Sequence, residues 1–437
     1  MVLLSDWLLY LEKLPTGLAV KNKISFDNTK KIADFFDLGN FSCPVITIAG
    51  TNGKGSCVAF LDTIWRAQGY SVGSYTSPHL IRYNERICIN GAAVSDEMLV
   101  EVFSSIDSVC QKLEITLNYF AFTTIAALLI FKFAPLDVIL LEVGIGGRLD
   151  PVNIISPDIS VITTIALDHI DCLGNSREEI GFEKSGIMRK NVPVVSGDND
   201  PPLSIYHCAK QSGAMLFCLH KDFDFSLHDN SWIWHYNKIK SSSIKTSVQI
   251  SDLPIPLLPT QNAATSLMVI ELLQKRLPVS HAALIQGLKK TFLPGRFQWL
   301  KFCNDVKCVV DVAHNGESSL LLASNLKSNF CQGQTLGVVS VLQDKNIIDI
   351  IKPLIDLVDE WYVCQLPANR AASLQQLQNV FLSLGLRNVR YFANPTLALD
   401  QALQACKAID RIVSFGSFYM VAEVLKYKKN LEKLHGA

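Results

Sequence analysis

The chain has 437 residues, 49% of them hydrophobic, and its 40 basic side chains are matched by 40 acidic ones. That length exceeds one ordinary compact domain, and the apolar content is enough for a core in each of two. A formal net charge of zero excludes a general field for nucleic acid or an acidic membrane surface, so a local site must hold any anion.

The N-terminal run MVLLSDWLLYLEKLP is apolar but carries Asp6 and Glu12, lacks a basic leader and a small-residue cleavage site, and is expected to form an amphipathic helix. Short apolar runs rich in β-branched residues then alternate with helical patterns: VITIA at 45–49, a helix to Gln68, SVGSY at 71–75, DVILLEV at 137–143, ISVITTI at 159–165 and VPVVS at 192–196. Strands apolar on both faces, separated by helices, predict a parallel sheet covered on both sides. The longest apolar tract, Ala121 to Leu141, is broken by Lys132, Pro135 and Asp137 and is expected to be a buried helix followed by a buried strand, with no membrane span.

Residues 222–253 interrupt the rhythm with Trp232, Trp234 and Tyr236 at alternate positions, which predicts an antiparallel hairpin appended to the sheet. Helices follow over about 261–276 and 280–291, and the turn signal Leu293, Pro294, Gly295, Arg296 marks the start of a second series. That series comprises KCVVDVA (307–313), TLGVVSV (335–341), EWYVCQL (360–366) and RIVSFG (411–416), with helices beginning near Glu317, Asn346 and Ser373. The expected domains are therefore 1–294 and 295–437. The 12 cysteines form no CxxC pair or regular framework and are expected to be free thiols of a reducing, cytoplasmic compartment.

ITIAGTNGKGS follows a strand and precedes a helix, the context a phosphate loop needs. In Gly50, Thr51, Asn52, Gly53, Lys54, Gly55 and Ser56 the glycines let backbone N–H groups close round phosphate oxygens. Lys54 reaches the outer phosphates, and Ser56 can approach a metal. The general GxxxxGKS spacing is not met, because Ile48 holds the first glycine position and Gly55 separates Lys54 from Ser56. Ser77, Glu142 and His169 each end a strand-like run, and in a parallel sheet such ends gather at the edge bearing the loop. A hard-oxygen magnesium site from Ser77 and Glu142 with His169 nearby is consistent with that placement. Taken singly, Ser77 is equally a helix cap, His169 a loop histidine and Glu142 a charge at a strand end.

AGTNGKGS, TSPHLIRYNERI (76–87), LLEVGIGGRLD (140–150), DHIDCLG (168–174), EKSGIM (183–188), LPGRFQ (293–298) and DVAHNG (311–316), in that order, resemble the folylpolyglutamate synthase and dihydrofolate synthase family of Mur-like ligases. The resemblance implies a Mur ligase-like phosphate-loop α/β domain with a mainly parallel sheet, plus a smaller C-terminal Rossmann-like α/β domain. It implies that ATP, with two Mg²⁺ ions, phosphorylates a substrate carboxylate, and that the amino group of L-glutamate then attacks the acyl phosphate to form an amide. The acceptors would be dihydropteroate and reduced folates, in a monomer that binds neither nucleic acid nor membrane. Folylpolyglutamate synthesis alone is one alternative, and a non-catalytic nucleotide-binding paralogue is another. A peptidoglycan-type ligase is disfavoured, because a separate domain is expected ahead of the loop in that class.

By the same resemblance, Lys54, Lys184 and His169 are the catalytic candidates, with Lys184 carbamylated. Ser56, Ser77, Glu142 and His169 serve the metal. ATP is held by loop 50–56 together with Asn262, Arg296, Asp311 and His314, and domain closure would assemble the site. The pterin and folate side falls to Arg82, Phe120, Ala121, Arg148, Leu149 and Asp150; Phe120 also suits a core position. This chain departs from the family's pattern at Ala121, where a glutamate is usual, at 17–31, and at GRLDPVN (147–153).

Overall fold

A computed structural model describes residues 3–14, 23–241, 244–302 and 305–435. Residues 17–22 of the divergent 17–31 stretch, and Cys303, lie outside the described residues. The chain forms two compact units, one of Met1–His79 with Tyr83–Leu293 and one of Leu80–Arg82 with Pro294–Ala437. The boundary at Leu293 falls one residue from the expected one. The transfer of Leu80–Arg82 to the second unit was not expected.

The first unit is built on β1 (Val45–Ala49), β2 (Val72–Tyr75), β3 (Ile87–Ile89), β4 (Ala92–Ala93), β5 (Val138–Glu142), β6 (Ile159–Ile162), β7 (Pro193–Ser196) and β8 (Met215–Cys218), in the order β4-β3-β2-β5-β1-β6-β7-β8. From β2 to β8 along the sheet every pairing is parallel; β3 and β4 add an antiparallel edge. Side chains of successive residues enter opposite cores. Val138 and Leu140 of β5 join one with helices Lys54–Gln68, Thr260–Leu273 and His281–Lys290, while Ile139 and Leu141 join the other with helices Asp96–Lys112 and Tyr119–Phe133. Burial on both faces is why these strands read as continuous apolar runs. After β1 the chain crosses to β2, and after β6 it crosses the other way to β7. The two connections diverge and leave a crevice at the carboxyl ends of β1 and β6, the place where such sheets bind ligands.

The expected hairpin is instead a separate three-stranded antiparallel sheet, β9 (Phe223–Leu227), β10 (Ser231–Ser241) and β11 (Ile244–Pro254). Trp232, Trp234 and Tyr236 alternate onto one buried face of β10, and the Trp234 indole N–H donates to the Ala264 carbonyl at 3.1 Å. That face is closed by helix Thr260–Leu273, so the three strands extend a core without joining the main sheet.

In the second unit β12 (Gln298–Lys301), β13 (Lys307–Val310), β14 (Thr335–Val339), β15 (Glu360–Cys364), β16 (Val389–Phe392) and β17 (Arg411–Phe415) run in the order β12-β13-β17-β14-β15-β16, with only β12 antiparallel. The two edge strands β12 and β16 are partly exposed and carry mixed side chains, which hides them from a search for apolar runs. Among the described residues no helix is long and apolar enough to cross a membrane, and eleven cysteines are free.

Candidate active site

The phosphate loop joins β1 to helix Lys54–Gln68 in a conformation that needs its glycines. Gly50 has φ 151° and Gly53 φ 86°, both unfavourable for residues with a Cβ. Space imposes the same choice: a Cβ at Gly50 would run into the Thr163 hydroxyl, and one at Gly53 would lie 2.6 Å from Asn262 Oδ1. The loop is stitched to the segment after β6. The Thr51 N–H donates to the Thr164 carbonyl at 2.6 Å, the Thr163 hydroxyl donates to the Asn52 carbonyl at 2.5 Å, and the Ala166 N–H donates to the Thr51 hydroxyl at 3.0 Å. The Lys54 ammonium folds back on its own loop, donating to the Gly50 and Thr51 carbonyls at 3.0 and 3.1 Å. Ser56 is buried in the first turn. Asn262 opens helix Thr260–Leu273, and its amide rests on Gly53, so this predicted ATP residue touches the loop.

Glu142, only 4% exposed, ends β5. Its Oε2 accepts the Ser77 N–H at 3.2 Å and stands 3.8 Å from where a Cβ on Gly55 would be. Two of the predicted metal residues are therefore together at the first turn of the loop helix. His169 lies on the segment after β6 at the same edge, with left-handed backbone (φ 50°), opening the short helix Ile170–Leu173.

Lys184 is 3% exposed, near the end of helix Arg177–Ser185. Burial, with Lys54 adding repulsion, pushes its amine down to about 7 against the attraction of Asp168 and Asp150. Asp150 is also buried, and burial pushes its carboxyl up to about 7 although it accepts N–H bonds from Gly144, Ile145 and Val152 at 3.1, 3.1 and 2.9 Å. Those bonds hold the loop 144–152 in shape, a role different from the predicted contact to a pterin edge. Phe120 packs against Gly144, where a Cβ would lie 2.6 Å from its ring, and this contact accounts for the glycine. Arg148 is exposed and pairs with Glu183 at 2.9 Å, and Leu149 is half-buried.

Ala121 is a correction. It has no exposed surface and sits in the core, because the helix that turns Phe120 toward Gly144 turns the next residue inward. It has no surface to offer a substrate. Arg82 is exposed and belongs to Leu80–Arg82 of the second unit. The arginine four residues on, Arg86, is the buried one.

In the second unit the carboxyl ends of β13 and β17 carry a compact cluster. Asp311 accepts the Phe297 and Ala313 N–H groups at 2.7 and 2.8 Å. Burial pushes its carboxyl up against the pull of Arg296. The Arg296 guanidinium lies 5.0 Å from the Phe418 ring centre, and the His314 ring packs on the same phenyl at 5.9 Å. His314 Nδ1–H donates to the Val312 carbonyl at 2.9 Å, which leaves Nε2 as the acceptor in the neutral ring.

Two family models cover most of the chain: the Mur ligase middle domain matches residues 48–273 and the Mur ligase glutamate ligase domain matches 295–418. A dihydrofolate synthase/folylpolyglutamate synthase of Buchnera aphidicola is 37% identical over 97% of this chain and 96% of its own. The chain belongs to the dihydrofolate synthase/folylpolyglutamate synthase family of Mur ligases. Escherichia coli FolC in complex with DHPP and ADP superposes with a TM-score of 0.89 at 35% identity, covering 99% of both chains. A bifunctional folylpolyglutamate synthase/dihydrofolate synthase with Mn, AMPPNP and L-glutamate bound gives a TM-score of 0.87 at 39% identity over 98% of both.

For a member of this Mur ligase family, a divalent cation at the phosphate-loop edge fits the residues present. Glu142 offers a buried hard carboxylate beside the loop. Among the described residues no three His, Cys, Asp or Glu side chains form a metal cage. Magnesium characteristically takes one or two carboxylates and completes its shell with hydroxyls, water and phosphate oxygens. Three neighbours of the site were not foreseen. Asp168 and Arg86 had their signal in the DHIDCLG and TSPHLIRYNERI motifs; Phe418 lies in no motif singled out from the sequence.

Proposed function

We propose that this chain uses MgATP to join L-glutamate to dihydropteroate and to reduced folates, forming an acyl phosphate on the acceptor carboxylate. The observation that carries the reading is the Glu142 carboxylate held by the Ser77 N–H beside Gly55, at the foot of a loop already shaped for phosphates. The full-length likeness to dihydrofolate synthase/folylpolyglutamate synthases supports the acceptor class.

In this reading the N–H groups of 50–56 hold the phosphates, and Lys54 leaves the Gly50 and Thr51 carbonyls to meet the transferred group. Ser56, Ser77, Glu142 and His169 would hold two magnesium ions, whose charge offsets that of the phosphates. Asn262 serves the adenine side, and Arg296, Asp311 and His314 are the second unit's nucleotide ligands. Phe120, Arg148 and Leu149 serve the acceptor, with Asp150 as the organiser of their loop. The carboxylate displaces ADP from the γ-phosphorus. The glutamate amine then attacks the acyl carbon and expels phosphate while losing a proton, so alignment and charge neutralisation supply the catalysis and no protein nucleophile is needed.

Lys184 is carbamylated in this reading. An amine pushed down to about 7 is substantially neutral at physiological pH, so its nitrogen adds to CO₂ with release of one proton. A buried amine beside Lys54 becomes an anion suited to a site holding metal. The enzyme acts as a cytoplasmic monomer.

The test is to mix purified chain with MgATP, glutamate and either dihydropteroate or tetrahydrofolate, then follow ADP and product mass. Glutamate-dependent ADP with both acceptors is expected. Tetrahydrofolate-only turnover would remove the dihydrofolate synthase half, and no turnover with either would refute the ligase.

A further inference from the structure

Arg86 lies in the 3₁₀ turn Tyr83–Arg86 just before β3 and is only 7% exposed. Its guanidinium is set between aromatic faces, 5.7 Å from the Tyr83 ring centre and 5.5 Å from that of Tyr119. Nε donates to His79 Nδ1 at 2.9 Å. Because arginine only donates, that bond fixes His79 Nδ1 as an acceptor. Among the described residues no carboxylate pairs with Arg86. A buried cation without a counter-ion is expensive, and a fold keeps one where an anion is to arrive.

The location says which anion. The Arg86 carbonyl accepts the Thr76 N–H at 2.8 Å, so the turn is tied to the segment whose next residue, Ser77, meets Glu142. Tyr119 adjoins Phe120 in one helix, and Phe120 lies on Gly144 with the Tyr75 ring 5.9 Å away. A flat ring against Phe120 and a negative end toward Arg86 describe an aryl carboxylate. The fork of a guanidinium matches a carboxylate with two parallel hydrogen bonds.

We propose that Arg86, held by Tyr83, Tyr119 and His79, is the residue that recognises the carboxylate of the acceptor. The inference rests on the folate-ligase reading and gives it a residue on the acceptor side whose contribution is charge. His79 acts through Arg86 as a positioning residue, keeping the guanidinium plane fixed.

Binding without turnover tests this. Pteroate and its carboxamide, which lacks the negative charge, are titrated into the full chain by calorimetry, with ADP binding measured in parallel. The wild type is expected to prefer pteroate by roughly 10- to 100-fold, the range for a charge-assisted hydrogen bond. In Arg86→Met that ratio falls toward one while ADP affinity stays. An Arg86→Met protein that folds and keeps the wild-type ratio overturns the proposal. If Met at this buried position prevents folding, Arg86→Gln, which keeps a donor for His79, decides by the same ratio. A wild type that binds both ligands equally also overturns it. The ligase reading fails separately, when the wild type yields no glutamate-dependent ADP; turnover together with an unchanged ratio in the variant removes only the Arg86 assignment.

Discussion

The carboxyl edges of the two sheets are built by different means. In the first unit the edge is a backbone structure: Gly50 and Gly53 sit under Thr163 and Asn262, and hydrogen bonds from the segment after β6 hold the loop before any nucleotide arrives. In the second unit the edge is a cluster of side chains, Arg296 and His314 both packed against one phenyl ring, that of Phe418. A backbone cradle has no softer arrangement to fall back on, whereas a side-chain cluster can lose one member and keep the rest. Substitutions in the first edge should therefore be severe, and those in the second graded.

The largest effect is expected at the loop. Lys54→Met should lower kcat by about 10²- to 10³-fold, the scale for losing one group aimed at developing charge. Its melting temperature should stay within a few degrees of the wild type, because the bonds Lys54 donates to the Gly50 and Thr51 carbonyls stay within its own loop. A variant that keeps a tenth of wild-type turnover would mean that the lysine does not reach the transferred phosphate. Ala121→Leu separates packing from binding. Overfilling that core position should cost about 1–3 kcal/mol in urea unfolding, with the acceptor KM nearly unchanged. A raised KM at unchanged stability would return Ala121 to the substrate side.

In the second unit Arg296→Ala should weaken ATP binding by about tenfold, as expected for one charge-assisted contact to a phosphate. Phe418→Ala should cost about two- to fivefold, the scale of one cation–π contact. An effect of Phe418→Ala equal to that of Lys54→Met would break the contrast between the two edges.

Lys184 supplies a pH test that needs no substrate. Its ammonium is disfavoured by folding, so the unfolded chain binds more protons between about 7 and its ordinary 10.5, and stability should rise with pH across that window. In CO₂-free buffer Lys184→Met should flatten that rise. An identical slope in both proteins would show that the amine is not depressed.

How much of this was legible in the sequence follows from what each feature is made of. Doubly buried strands such as VITIA and VILLE announce themselves by composition, and the loop by its glycines, so the first unit's edge was visible almost entirely. The edge strands β12 and β16 were not, because half-exposed strands carry mixed side chains. Phe120 and Ala121 illustrate the limit most clearly. They are neighbours in the sequence, yet the helix turns one ring onto Gly144 and the next methyl into the core. Arg82 and Arg86 repeat the lesson, since two arginines of a single motif part company at the 3₁₀ turn. Asp150 was recognisable as important, but its three backbone bonds could only be counted in the fold.

The central claim is that ATP activates the acceptor as an acyl phosphate at the Glu142–Ser77 edge. Dihydropteroate labelled with ¹⁸O in its carboxylate, turned over with MgATP and glutamate, tests it directly. One labelled oxygen should appear in the inorganic phosphate for each amide formed, because the acyl carbon keeps one carboxylate oxygen and loses the other with the leaving phosphate. Amide formation with unlabelled phosphate would contradict the account.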